Sequence, residues 1–200
     1  LIALAVAPGL AIMIYIFWKD KYDPEPKRLL IWAFVLGILS IIPAVILETM
    51  ITRTGIVYTD SILKTGIYAF IGVAVIEEAV KFFVVFRFLY PKKEFDEPFD
   101  GITYAVMASM GFATLENIAY TINYGEATGI LRMFTAVPAH AAFGVIMGYY
   151  LGLAKFNNRY KRNQIKILFK MLYNPSEITI NTFKFVFKSI KTKKLMNYLN

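Results

Sequence analysis

Residues 67–90 read IYAFIGVAVIEEAVKFFVVFRFLY. An apolar stretch of this length crosses about 30 Å of hydrocarbon as a helix. Yet it holds three ionisable side chains within Glu77-Glu78-Ala79-Val80-Lys81. Near a bilayer centre each charge costs roughly 2.5 to 3.5 kcal/mol. A structural ion-pair knot would bear that cost without return, so the cluster is read first as a buried reaction centre.

Four more apolar runs, 1–18, 29–51, 102–122 and 133–153, flank this one. With 58% hydrophobic and 18% charged residues, the composition is too apolar for a soluble domain. The expected fold is an all-α, polytopic transmembrane helix bundle of about five spans over residues 1–154. Residues 155–200 are expected to form a basic amphipathic tail. With no cysteine there are neither disulfides nor thiolate metal sites. Residues 1–18 lack a basic leader and a small-residue cleavage site, so they read as a span; the chain opens on Leu1, and its natural start is expected upstream.

Basic residues sit in alternate loops: Lys19, Lys21, Lys27 and Arg28, then Lys92 and Lys93, then Lys155, Arg159, Lys161 and Arg162. The intervening loops carry chiefly Arg53 and Arg132. The positive-inside rule therefore places the N-terminus outside and the C-terminus in the cytoplasm. From Lys155 onward eleven basic residues face one acid, Glu177, so the tail supplies the whole net charge of +8. Phe183, Val186, Phe187 and Ile190 recur there at helical spacing opposite Lys184, Lys188 and Lys191, as in a helix lying on an anionic lipid leaflet. Adjacency to a span favours lipid over nucleic acid as its partner.

With that topology the polar residues of three spans fall at one depth. Counting inward at 1.5 Å per residue, Glu77 and Glu78, Glu116 and Asn117, and His140 all lie roughly 10 to 17 Å from the outer face. Their faces agree too. His140 is followed at four-residue steps by Gly144, Gly148 and Gly152, a small-residue face suited to close helix packing. Glu116 stacks over Phe112, Ser109, Ala108 and Ala105. The polar groups thus point into the bundle. Tyr90, Tyr124, Tyr149 and Tyr150 read as interfacial anchors. Asp96, Glu97 and Asp100 read as a solvated turn, with Phe95 and Phe99 folding it back on the membrane.

Two adjacent carboxylates in a low dielectric resist ionising together, so one holds a proton while Lys81 neutralises the other. A carboxylate of this kind activates water for attack on a carbonyl when another group stabilises the oxyanion. His140 and Asn117 are donors at the right depth, and Glu116 can orient His140 or the water. This constellation suits peptide hydrolysis inside the membrane. Two other readings use the same residues: a non-catalytic protein that captures membrane segments, and an ion-coupled transporter, which five runs without an evident repeat disfavour.

Glu77-Glu78-Ala79-Val80-Lys81, then Phe95-Asp96-Glu97-Pro98-Phe99-Asp100-Gly101, then Gly111-Phe112-Ala113-Thr114-Leu115-Glu116-Asn117, then His140 with Gly144 and Met147-Gly148, taken in order, resemble the PrsW family of glutamic-type intramembrane proteases. Ala7-Pro8-Gly9 and Tyr22-Asp23-Pro24-Glu25-Pro26 are similar to the family's opening, and the match spans roughly residues 1–155. The resemblance implies membership of the superfamily that includes the CAAX-prenyl-type proteases, with Glu77 and Glu78 as the water-activating pair and Glu116 and His140 as the other active-site members. It implies site-1 cleavage of a membrane-anchored anti-sigma factor in the bacterial cytoplasmic membrane, starting sigma-factor release under envelope stress. It implies metal-independent chemistry with no cofactor, although two glutamates and one histidine are also a donor set for zinc or another divalent ion. The family pattern continues with further spans and a late His-Gly-x-Tyr-Asp-like motif, whereas His140 is the only histidine here. That departure leaves a catalytically impaired homologue as the alternative.

Overall fold

The structure is a computed structural model that describes residues 2–20, 23–53, 61, 65, 66 and 68–156. The expected tail beyond Phe156 lies outside the described residues. Among these, all regular structure is helical. The order is α1 (Ile2–Lys19), α2 (Lys27–Leu39), α3 (Ile41–Arg53), a π-helical segment (Tyr68–Ala74), α4 (Val75–Phe88), α5 (Pro98–Tyr124), α6 (Glu126–Phe134) and α7 (Ala136–Phe156).

By length and composition, three stretches are long and apolar enough to cross a membrane: Ile2–Lys19, Lys27–Arg53 and Glu126–Phe156. The other two expected spans are helical as well, but their composition is less apolar for a physical reason. Glu77, Glu78, Lys81 and Arg87 lie on α4. Helix α5 is the centre of the bundle, and every residue from 100 to 114 along it is buried. A helix hidden on all sides by protein has no lipid to satisfy and tolerates Thr103, Ser109 and Thr114.

Small residues let the other helices reach α5. A Cβ at Gly148 of α7 would collide with the backbone of Gly101 and Ile102, and one at Gly37 of α2 with the carbonyl of Ala108. The glycine face expected on the fifth run is therefore a packing seam, as read from its spacing. Larger side chains fill the space between seams: Leu30, Leu36, Val85, Leu89, Phe95, Tyr104 and Leu151 form one buried cluster.

The run expected as a single span over 29–51 is two helices, and a further helix, α6, precedes the run expected over 133–153. Between α2 and α3, Pro43 supplies no N–H, and the Ser40 hydroxyl donates to the Gly37 carbonyl at 2.7 Å, so the ladder is interrupted and the run bends. Between α6 and α7 the joint is Thr135. The turn expected to be solvated is so only in part: Asp96 is exposed, whereas the residues on either side of it fold in. Asp100 and Phe95 are buried at 0% and 1% exposure, and Phe82, Phe86, Tyr90 and Phe95 form a chain of ring contacts at 5.1 to 5.5 Å. Tyr150, expected as an anchor, is also buried against Ala154.

Candidate active site

The π-helical segment Tyr68–Ala74 runs straight into α4, so the widened turn immediately precedes Glu77 and Glu78 and sets the direction in which they project. Its first residue, Tyr68, shares a hydrogen bond of 2.7 Å with Thr52 of α3 through their hydroxyls. From α4, Lys81 is fully buried and donates to Glu78 Oε1 at 2.5 Å and to His140 Nδ1 at 2.9 Å. Its ammonium also lies 4.5 Å from the centre of the Phe112 ring, which faces His140 at 5.7 Å.

His140 on α7 is the hub. Because Nδ1 accepts from Lys81, its proton resides on Nε2, which donates to Glu116 Oε2 on α5 at 3.0 Å. Glu77 Oε2 is 3.9 Å from the same Nε2, and Glu78 Oε1 is 3.6 Å from Nδ1. Three helices thus deliver Glu77, Glu78, Lys81, Glu116 and His140 to one buried point. Glu78 Oε2 is buried and has no hydrogen-bond partner, so it is an acceptor left open.

Asn117 stands apart from this group. Its amide donates to the Ala5 carbonyl of α1 at 2.9 Å, and its Oδ1 accepts from Arg132 Nε at 3.1 Å. These contacts run to α1 and α6 and not to the group around His140, where an oxyanion donor would stand. Glu116 and Asn117 are neighbours in the helix and so point about 100° apart.

Two further residues join the site. Arg132 on α6 pairs with Glu116 Oε2 at 2.6 Å and lies 4.0 Å over the Tyr120 ring. Glu48 on α3 is half-buried and close enough to Glu77 and Glu116 to repel both. Glu48 carried the same signal as Glu77, a carboxylate inside an apolar run.

Glu77, Glu116 and His140 each offer one ligand atom, and these atoms lie within 4.8 Å of one another. Two carboxylates and an imidazole converging from separate helices are a fitting donor set for a divalent ion that keeps a further position open. His140 Nε2 would have to give up its proton, with Nδ1–H turning to Glu78 Oε1; a carboxylate behind a ligating imidazole is a common support of such centres.

A family model described as PrsW family intramembrane metalloprotease matches residues 25–178. Protease PrsW of Geobacillus kaustophilus is 43% identical over 162 residues, covering 81% of this chain and 70% of that one. Protease PrsW of Oceanobacillus iheyensis is 41% identical over 169 residues, 84% and 76% of the two chains, and that of Bacillus subtilis is 36% identical over 160 residues, 78% and 70%. No solved structure matches the chain. A buried acid and imidazole cluster in an all-helical, multi-pass membrane protein, matched along most of its length, leaves one assignment: the chain belongs to the PrsW family of intramembrane proteases, hydrolases of the peptide bond.

Proposed function

We propose that this protein cuts a single-span membrane protein, an anti-sigma factor held in a bacterial cytoplasmic membrane, and so starts sigma-factor release under envelope stress. The substrate class rests on the ordered motifs that resemble PrsW. The chemistry rests on one observation, the meeting of Glu77 and Glu78 with Glu116 and His140 inside the bundle at 3.0 to 3.9 Å.

Glu78 is the general base: its unpartnered Oε2 takes a proton from water as that water attacks the scissile carbonyl. Lys81 holds the other Glu78 oxygen, fixing the carboxylate in place. That proton then passes from Glu78 to the leaving amine as the C–N bond breaks, while His140, its neutral ring bonded to Lys81 and Glu116, holds the acids in place. Arg132 pairs with the same Glu116 oxygen, Oε2, and limits its rotation. Glu77, Glu116 and His140 would hold a divalent ion of the zinc class. Such an ion, when bound, polarises a carbonyl and acidifies water.

A metal-free reading is favoured by a specific feature. Lys81 and Arg132 already supply positive charge to Glu78 and Glu116, so the paired glutamates can act alone. Cleavage after exhaustive chelation decides between the two: loss restored by zinc supports the ion, and undiminished turnover supports the glutamate pair. The substrate assignment is tested by co-reconstitution with a candidate anti-sigma factor. A new N-terminus near the outer side of its span is expected, since a peptide there can unwind from its helix. Co-purification without a new N-terminus would instead mark a binding protein. The tail is proposed to rest on anionic lipid, with no role for nucleic acid.

A further inference from the structure

Two stretches that the reaction centre leaves unused meet at the other end of the bundle. They are Asp23-Pro24-Glu25-Pro26, between α1 and α2, and residues 95–101, which open α5. Asp100 lies sixteen residues before Glu116 on α5, about 24 Å away along the helix. Around it gather Asp20 at 3% exposure, Glu25 at 5% and the half-buried Glu97, with Asp100 itself at 0%.

Among the described residues no lysine, arginine or histidine forms an ion pair with any of these four acids. The nearby Lys155 ammonium is committed elsewhere, donating to the carbonyls of Tyr90 at 2.7 Å and Lys92 at 3.1 Å. Some of the oxygens are satisfied. Asp100 Oδ2 accepts the N–H groups of Asp96 and Glu97, both at 2.7 Å; the Tyr104 hydroxyl donates to Glu25 Oε2; and Glu25 N–H donates to Asp20 Oδ2 at 3.3 Å. One oxygen is not: Asp100 Oδ1, on a fully buried residue, has no donor, and the carboxylate beside this side chain is that of Glu25, which bonds it only through a shared proton. Buried carboxylates without a countercharge need a proton or a cation.

We propose that Asp20, Glu97 and Asp100 bind a hard divalent cation, magnesium or calcium, at the end of the bundle remote from the reaction centre. Their ligand oxygens lie within 4.8 Å of one another. Cations of this class bind oxygen at 2.0 to 2.6 Å, so ligand oxygens on opposite sides of one ion stand about 4 to 5 Å apart. The donors are all oxygen, which suits these ions and disfavours zinc. The three ligands come from the end of α1, from the residue before α5 and from α5 itself, so a bound ion ties the first helix to the central one.

The test uses the full chain in detergent micelles with terbium as the luminescent probe. Tyr104, whose hydroxyl rests on Glu25, is close enough to sensitise it. Saturable tyrosine-sensitised emission is expected, displaced by calcium or magnesium, the more effective competitor identifying the ion. Asp20→Asn and Asp100→Asn should each lose this emission while keeping wild-type helical circular dichroism. Glu77→Gln, at the other ion-capable group, should retain it. Absence of saturable emission overturns the proposal, as does emission that survives both aspartate substitutions. So does an infrared carboxylic-acid band that persists at saturating cation and disappears in Asp100→Asn, since it marks a proton shared with Glu25 where the cation should be.

Discussion

At the scale of single residues, a charge inside an apolar run is itself a signal, because the bilayer penalises it. That made Glu77, Glu78, Lys81, Glu116 and His140 legible, and the structure brings them together. Arg132 was not legible in this way. It follows Glu126 on a short helix that reads as a loop charge, and only the fold shows its guanidinium on Glu116. Because it acts through Glu116, its removal should lower kcat more than it changes KM. Arg132→Gln is expected to reduce cleavage about 10- to 100-fold, the usual effect of losing a residue that orients an active-site group. Arg132→Lys should recover part of that loss, since it keeps the charge without the planar fork that reaches both Glu116 and Asn117. Equal activity in all three proteins would remove Arg132 from the site.

At the scale of elements, the five apolar runs placed the helices within a few residues, because length and hydropathy are what a span requires. The joints inside those runs were hidden. The bend between α2 and α3 depends on Pro43 and on Ser40 bonding back to Gly37, and the π-helical segment has no periodicity that sets it off from α-helix. The π segment matters most, since it comes just before Glu77. Deleting Gly72 would convert the wide turn to an α turn and rotate one side of the helix against the other by about 100°. The expected result is a folded protein, unchanged in helix content by circular dichroism, that no longer cleaves. Retained cleavage would show that the π segment does not aim the glutamates. By contrast, Gly148→Leu should fail at packing. Its side chain meets the backbone of Gly101 and Ile102, so the melting temperature in detergent should fall, by an amount corresponding to about 1 to 3 kcal/mol or more.

At the scale of the whole molecule, the bundle has two polar ends. One carries the reaction centre with Arg132 and Glu48 around it; the other carries the carboxylates of Asp20, Glu25, Glu97 and Asp100. Asp96, Glu97 and Asp100 read as a solvated turn because they lie close together in sequence; Asp96 is exposed, whereas the burial of Asp100 depends on α1 and α7, which reach it from far away in the chain. The positive-inside rule predicts the second end in the cytoplasm. The chain has no cysteine, so single substitutions report orientation cleanly. Glu126→Cys, exposed beside the reaction-centre end, should react with an impermeant maleimide added to intact cells, and Lys92→Cys should react only after lysis. The reversed pattern would invert the topology. The most direct measurement of the account as a whole is proteolysis of a single-span substrate in proteoliposomes by the wild type, Glu78→Gln and His140→Ala, each confirmed as folded. Losses of about 100- to 10,000-fold in both variants are expected for removal of a general base and of the imidazole that holds it in place; cleavage at the wild-type rate by either would contradict the reaction centre described here.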